Sequence, residues 1–218
     1  MTSRWPVVIF DIDGTLVDSV DLIVASYQHA FRTVLGHEWD EAEIKTWIGQ
    51  SLYGALEREC PDHVDELFRV YIEWNEAHTA EWITAFTGIP ELMTDLVAAG
   101  LKVGAATSKR RHQAQWALEL GRVDAQLPLV VAHEDVATHK PDPAPLLLAA
   151  KKLGVTPDQA VYVGDATVDV QAAHNADMDV VAVTWGAGTR ADLIAARPTA
   201  LIDTVSDLGD ALLRGCYS

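Results

Sequence analysis

Short apolar runs, rich in β-branched residues, alternate along this chain with longer segments of helical spacing. Runs of this length predict buried strands, and the longer segments predict helices. Strands that alternate with helices are typical of βαβ units, so we expect a doubly wound, Rossmann-like α/β fold with a mostly parallel sheet. The predicted strands cover residues 7–10, 101–105, 129–132, 160–163, 180–183 and 200–202, and the predicted helices cover 90–99, 110–120, 143–153, 168–176 and 191–196.

One long stretch, from Asp18 to Trp82, interrupts this alternation with helical segments alone. A run of about 65 residues is too long for an ordinary connection between a strand and a helix. It predicts an inserted helical cap at residues 17–84, on an α/β core made of residues 1–16 and 85–218. The expected cap helices cover residues 20–35, 41–48, 52–60 and 63–82, with hinges at 17–19 and 85–88.

Composition and charge exclude several classes of protein. The 218 residues are 49% hydrophobic and carry a net charge of −16, which disfavours binding to nucleic acid or to an anionic membrane surface. The two cysteines, Cys60 and Cys216, are too few for a disulfide framework, so we expect reduced thiols. No apolar run approaches the roughly 18 residues of a membrane helix, and no signal peptide is recognisable. The expected location is the cytoplasm.

Two acidic residues directly follow the first predicted strand. Asp11 and Asp13 precede Gly14, which allows a sharp turn, and ligands of open α/β sheets bind beyond the carboxyl ends of the strands. A helix cap or a calcium loop of the EF-hand type would also contain such acids. The calcium loop is disfavoured because its twelfth position should be Glu, whereas the residue there is Leu22.

Two weaker signals follow along the chain. Thr107 and Ser108 come after the second predicted core strand and before a helix, an arrangement that can bind an anion but is also common at helix caps. Lys140 precedes a turn rich in proline, although an isolated lysine is usually solvated. The basic run at 109–111 is expected to be a solvated helix start.

Asp165 and Asp169 complete the set of candidate residues at the strand ends. Together with Asp11 and Asp13 they would converge on one edge of the sheet. Four carboxylates cannot all remain ionised there without a cation, and hard oxygen ligands suit Mg²⁺. Capping of the following helix is the simpler alternative for Asp165 and Asp169.

These four segments, DIDGTLVDS, TSK, KPDP and VGDATVD, match in order the four motifs of the haloacid dehalogenase superfamily. The resemblance covers essentially the whole chain. The helical insert resembles the C1 cap of subfamily I. The residues of the four motifs are most similar to those of phosphoglycolate phosphatase-like and pyrophosphatase-like members.

The resemblance implies a role for each motif residue. Asp11 would be the nucleophile, Asp13 the general acid and base, and Lys140 a catalytic cation that restrains Asp11. The phosphate would be held by Thr107, Ser108, Lys140 and Gly14. The ligands of Mg²⁺ would be Asp11, the backbone carbonyl of Asp13 and Asp165, with Asp169 acting through water or through the other ligands.

Within the family, the residues favour an ester phosphatase. Asp13 can protonate an alkoxide leaving group, which a dehalogenase does not need. Phosphonate-cleaving members need an activated cap lysine, and nothing around Lys45 suggests one. Mutase members carry a histidine early in the cap, where this chain has Ile23. We therefore expect a Mg²⁺-dependent, phosphoglycolate phosphatase-like enzyme that forms an aspartyl-phosphate intermediate.

Several alternatives stay open. The substrate, a small phosphorylated metabolite, could instead be pyrophosphate or a nucleotide or sugar phosphate, and a β-phosphoglucomutase-like mutase or a non-catalytic binding protein is less favoured. Gln50, Ser51 and Arg58 are the candidate specificity residues of the cap. The sequence leaves open whether the protein is a monomer or a homodimer.

Overall fold

The apolar runs of the sequence form the strands of a parallel sheet in the computed structural model, which describes residues 4–215. The described strands are β1 (Val7–Phe10), β2 (Val17–Asp18), β3 (Thr84–Ala85), β4 (Lys102–Ala106), β5 (Leu129–Val131), β6 (Ala160–Gly164), β7 (Asp179–Val183) and β8 (Ala200–Ile202). Six of them form one sheet in the order β5-β4-β1-β6-β7-β8, with every neighbouring pair parallel. The predicted doubly wound α/β fold is confirmed.

Strand β1 lies in the middle of this sheet, between β4 and β6, and all four of its residues are buried. The chain winds outward from β1 through β4 to β5, and then returns to the other side of β1 as β6. The order of strands therefore reverses between β1 and β6, which is where open α/β sheets bind their ligands. The first and fourth motifs follow these two strands.

The helices within the described residues match the predicted ones to within two residues, apart from the last. They are α1 (Val20–Leu35), α2 (Glu41–Trp47), α3 (Leu52–Glu59), α4 (Val64–Trp82), α5 (Ile89–Ala98), α6 (Arg111–Leu120), α7 (Ala144–Leu153), α8 (Thr167–Asn175), α9 (Arg190–Ala196) and α10 (Val205–Arg214). Helix α10 was missed by the sequence analysis, although its buried Leu208, Ala211 and Leu212 have helical spacing.

Two apolar clusters cover the two faces of the sheet. Because successive side chains of a strand point to opposite faces, Val8 and Phe10 of β1 join one cluster, while Val7 and Ile9 join the other. The first cluster includes residues of α5, α6 and α10, and the second includes residues of α7, α8 and α9. This double cover explains why the strands read as continuous apolar runs.

Helices α1–α4 pack around a third apolar cluster of their own, which is rich in aromatic residues. The strands β2 and β3 pair antiparallel at the two points where the chain passes between these helices and the sheet. With two residues each, they are too short to show a periodic pattern in the sequence. The boundaries proposed for the cap, at 16/17 and 84/85, fall at these strands.

Two further expectations concern membrane-spanning helices and the cysteines. In the described part of the chain, the helices lack the combination of length and apolar character that a membrane span requires. Cys60 is a buried free cysteine, whereas Cys216 lies outside the described residues.

Candidate active site

The motif side chains meet beyond the carboxyl ends of β1, β4 and β6. Asp11 follows β1, Thr107 follows β4 and Asp165 follows β6, and the loop before α7 brings Lys140 to the same place. Each of these four residues is almost completely buried. Parallel strands place their carboxyl ends on one edge, which is why residues so far apart in the sequence converge here.

Lys140 is the centre of a buried network of charges. Its Nζ lies 3.0 Å from Asp11 Oδ2 and 2.6 Å from Asp169 Oδ1, and donates to the Tyr162 hydroxyl at 3.2 Å. Tyr162 in turn donates to the carbonyl of Ala106 at 2.8 Å. Burial alone would lower the pKa of Lys140, but the charges of Asp11 and Asp169 outweigh it and raise this pKa well above its ordinary value. The lysine therefore stays charged.

Three buried acids around a single lysine leave a deficit of positive charge. Oxygen atoms of Asp11, Asp165 and Asp169 all lie within 4.8 Å of one another. Burial, followed by neighbouring carboxylates, raises the pKa of Asp165 to about 8; burial likewise raises the pKa of Asp11 to about 6, although Lys140 opposes it. Asp11 Oδ1 is buried and has no hydrogen-bond partner among the described residues. A divalent cation with oxygen ligands fits this site.

Neighbouring groups hold Asp165 in one orientation. The Thr15 hydroxyl donates to Asp165 Oδ1 at 2.8 Å, and the backbone N–H of Ala187 donates to Asp165 Oδ2 at 2.7 Å. The backbone also approaches this carboxylate closely at Gly14 and Gly186, where an added Cβ would collide with it. Glycine is therefore required on both sides of Asp165.

Substitution Gly186→Ala should push Asp165 away from its position and weaken the binding of Mg²⁺. We expect a 10- to 100-fold weaker affinity, the usual effect of disturbing groups that orient a metal ligand. Calorimetric titration of the variant with MgCl₂ measures this directly. Gly54→Ala is the matched control, since an added Cβ at Gly54 meets only ordinary contacts, 3.7 Å from Ser51. Unchanged Mg²⁺ affinity in Gly186→Ala would contradict the prediction.

Asp13 is also buried, and its carboxylate is bound by two side chains from other parts of the chain. The Ser19 hydroxyl donates to Asp13 Oδ1 at 2.7 Å, and Lys109 Nζ donates to its two carboxylate oxygens at 2.9 and 3.2 Å. The side chain of Lys109 is only 11% exposed. The expectation of a solvated lysine was wrong at this position, because the ion pair with Asp13 joins residues that are 96 positions apart.

Thr107 and Ser108 face the same space. The Thr107 hydroxyl accepts from the backbone N–H of Lys109 at 3.2 Å. Ser108 Oγ is buried and lacks a hydrogen-bond partner within residues 4–215. Both residues line a cavity that also exposes Asp11 and Asp13. They are therefore available to an anion bound beside Asp11.

A family model described as haloacid dehalogenase-like hydrolase matches residues 8–183, a span that includes every motif residue. This chain belongs to the haloacid dehalogenase-like hydrolase family. The superfamily suggested by the four motifs is thereby confirmed, and so is the enzyme class, a hydrolase with phosphatase relatives.

Relatives of this hydrolase share its full length. Pyrophosphatase PpaX from Bacillus cereus (strain AH820) is 33% identical over 201 residues, which are 92% of this chain and 93% of that protein. A hydrolase of known structure from Pseudomonas syringae is 29% identical, with a TM-score of 0.86 and complete coverage of both chains. A haloacid dehalogenase-like family hydrolase from Streptococcus pneumoniae shares the fold, with 22% identity, a TM-score of 0.83 and coverage of 94% and 97%.

Residues of α1–α4 and of the turn between α2 and α3 line the cavity together with Asp11 and Asp13. Of the candidate specificity residues, Gln50 lines the cavity, whereas Ser51 and Arg58 lie outside the lining that the described residues define. Ser51 caps α3 by accepting from the backbone N–H of Gly54 at 3.4 Å. Arg58 forms an ion pair with Glu59 at 2.6 Å. The sequence pattern did not indicate the aromatic side chains that line the cavity, which are Tyr27, Trp47, Tyr53, Phe68 and Tyr71.

Proposed function

We propose that this hydrolase cleaves phosphate monoesters of small molecules in the presence of Mg²⁺, with Asp11 as nucleophile. The proposal rests on one observation: the carboxylates of Asp11 and Asp13 line the same cavity but have different neighbours. Asp11 lies against Lys140, whereas Asp13 is bound by Ser19 and Lys109. Such a pair can supply a nucleophile and a separate proton donor.

In the proposed first step, an oxygen of Asp11 bonds to phosphorus while the bond from phosphorus to the leaving oxygen breaks. Asp13 gives its proton to that oxygen, so the alcohol leaves neutral. In the second step, Asp13 takes a proton from water, whose oxygen bonds to phosphorus as the bond to Asp11 breaks. Phosphate is released, and both carboxyl groups return to their starting states. Thr107, Ser108 and Lys140 would hold the phosphoryl oxygens, next to the turn at Gly14.

Mg²⁺ would be held by Asp11, Asp165 and the backbone carbonyl of Asp13. When bound, the ion supplies positive charge that offsets the charge of the transferring phosphoryl group. Asp169 would support the site indirectly, because it forms the ion pair with Lys140 and accepts from the backbone N–H of Ala166 at 2.9 Å. Within residues 4–215, Asp11 Oδ1 is buried and has no hydrogen-bond partner, which supports its role as a metal ligand.

Hydrolysis of pyrophosphate is the second candidate, since relatives that are 33% identical are named pyrophosphatases. Phosphoglycolate stays a candidate because the motifs resemble phosphoglycolate phosphatase-like proteins. A mutase is disfavoured by Ile23, an apolar residue that lines the cavity.

The test of this function is phosphate release from a panel of phosphate esters and pyrophosphate, with Mg²⁺ and with EDTA. The panel contains phosphoglycolate, pyrophosphate, a nucleoside monophosphate and a sugar phosphate. We expect release that EDTA abolishes and that added Mg²⁺ restores, since three buried carboxylates cannot bind a phosphate dianion without a cation. Folded protein that releases phosphate from none of them would contradict the proposal, and a rearranged, still phosphorylated product would identify a mutase.

A further inference from the structure

The cap side of the active-site cavity is a wall of aromatic side chains. All four helices of the cap contribute rings to this wall, and the turn from α2 to α3 adds Ile48. The rings belong to Tyr27, Trp47, Tyr53, Phe68 and Tyr71. They contact one another mostly edge to face, with centroids 4.8 Å apart for Tyr27 and Tyr71 and 5.7 Å apart for Tyr53 and Phe68. Such rings offer large apolar surfaces to a ligand.

Three polar side chains of this wall, those of Gln50, Asn75 and Tyr53, are already hydrogen-bonded within the protein. The Gln50 amide donates to the carbonyl of Thr46 at 2.9 Å, and its oxygen accepts from Arg58 at 2.9 Å. Asn75 donates to Ser26 at 2.9 Å. The Tyr53 hydroxyl donates to Asp65 at 3.0 Å. A polar leaving group could be bound by Gln50, Asn75 or Tyr53 only at the expense of these hydrogen bonds.

The positive charges around the cavity lie on the core side, close to the phosphoryl position. Lys109 is paired with Asp13, and Arg110 lies 3.5 Å from Glu134 while its guanidinium stands over the Phe68 ring at 5.8 Å. Within the described residues, the cap wall contributes neither lysine nor arginine to the lining. Among the described residues, the cap helices therefore offer no lysine or arginine to a second anionic group, such as a carboxylate or a second phosphate, and Arg110 of the core is already paired with Glu134.

We infer that the natural substrates are phosphate monoesters whose leaving group carries an apolar ring. The ring would lie against Phe68, Tyr53 and their aromatic neighbours, while the phosphoryl group lies beside Asp11. The cavity of about 330 Å³ has room for both, because a cavity of about 150 Å³ already accommodates benzene. This inference rests on the proposed phosphatase function and adds a substrate class to it.

The decisive comparison uses benzyl phosphate and ethyl phosphate. Both release an unactivated primary alcohol, so a difference in kcat/KM reports on contacts with the ring and not on leaving-group chemistry. We expect kcat/KM to be at least about tenfold higher for benzyl phosphate, the scale expected for burying one ring against aromatic partners. It should also exceed the values for pyrophosphate and phosphoglycolate.

Two variants test whether the aromatic wall causes the preference for benzyl phosphate. Phe68→Ala and Tyr53→Ala should each lower the ratio of benzyl to ethyl phosphate kcat/KM by about threefold to tenfold. Tyr53 is 38% exposed, so its replacement should leave the fold intact. Trp116→Ala is the matched control, because Trp116 lies on α6 in a separate surface depression. In Trp116→Ala, the ratio of benzyl to ethyl phosphate kcat/KM should equal that of the unmodified enzyme.

A ratio of benzyl to ethyl phosphate kcat/KM near one in the unmodified enzyme would overturn the inference, and so would a higher kcat/KM for pyrophosphate or phosphoglycolate. Either result would leave the phosphatase function in place. An unchanged ratio in both wall variants would overturn the inference too. If no ester is hydrolysed, the proposed function fails, and binding decides the inference separately. Calorimetry should then show at least about tenfold tighter binding of benzylphosphonate than of ethylphosphonate, and equal affinities would overturn it.

Discussion

Asp11→Asn should reduce turnover by about 10⁴-fold or more, the scale seen when a catalytic nucleophile is removed. The amide matches the carboxylate in shape but is a poor nucleophile, so the first step of the proposed reaction is blocked. Folding should be preserved, because Lys140 keeps its 2.6 Å ion pair with Asp169. Steady-state phosphate release with saturating Mg²⁺ measures the loss.

The same substitution makes a prediction about stability. Burial raises the pKa of Asp11 from 3.8 to about 6, so at pH 7 its ionised form disfavours the metal-free folded state. Metal-free Asp11→Asn should therefore unfold at the same temperature as the unmodified protein or at a higher one. Below pH 3.8 Asp11 is protonated in both states, and this advantage should disappear.

The control for this pair of measurements is Asp158→Asn, at an exposed acid outside the four motifs. It should retain full turnover. Mass spectrometry of the Asp11→Asn protein verifies that the amide has not hydrolysed back to the acid. Residual turnover of more than a few per cent, with the amide intact, would contradict a nucleophilic role for Asp11.

Lys140→Met should destabilise the fold as well as remove activity. It leaves the buried carboxylates of Asp11 and Asp169 without their shared cation, and breaking a buried ion pair in this way costs about 3–5 kcal/mol. Urea unfolding of the metal-free protein measures the change in the free energy of unfolding. Activity should fall because the phosphoryl oxygens lose a positive partner.

The stability that Lys140 contributes depends on pH in a defined direction. The pKa of Lys140 is raised above its ordinary value of 10.5, so its stabilising contribution is fully present below pH 10.5 and is lost only as the pH rises beyond it. Because Lys140 also holds the pKa of Asp11 down against burial, the stability lost in Lys140→Met should increase as the pH rises from mildly acidic to neutral values, where Asp11 becomes ionised. Lys151→Met, at an exposed lysine of α7, is the matched control and should change stability by less than about 0.5 kcal/mol. Equal stability of the two variants would contradict a structural role for Lys140.

Much of this molecule follows from local sequence patterns. The run Val7–Phe10 predicted the central strand because both faces of the sheet are covered, and helical spacing predicted the four cap helices. The positions of Asp11, Thr107 and Asp165 after strands placed them at one edge, since parallel strands end on the same side. These features depend on residues that are neighbours along the chain.

Other features were decided by tertiary contacts. The strands β2 and β3 consist of two residues each and exist only because distant segments pair. The ion pair of Lys109 with Asp13, the glycine contacts around Asp165 and the aromatic wall of the cavity join residues from separate elements. The sequence determined which chemical groups the protein carries at its strand ends. Only the folded arrangement decided what faces them, because periodicity shows that a side chain is buried but not which side chain it meets.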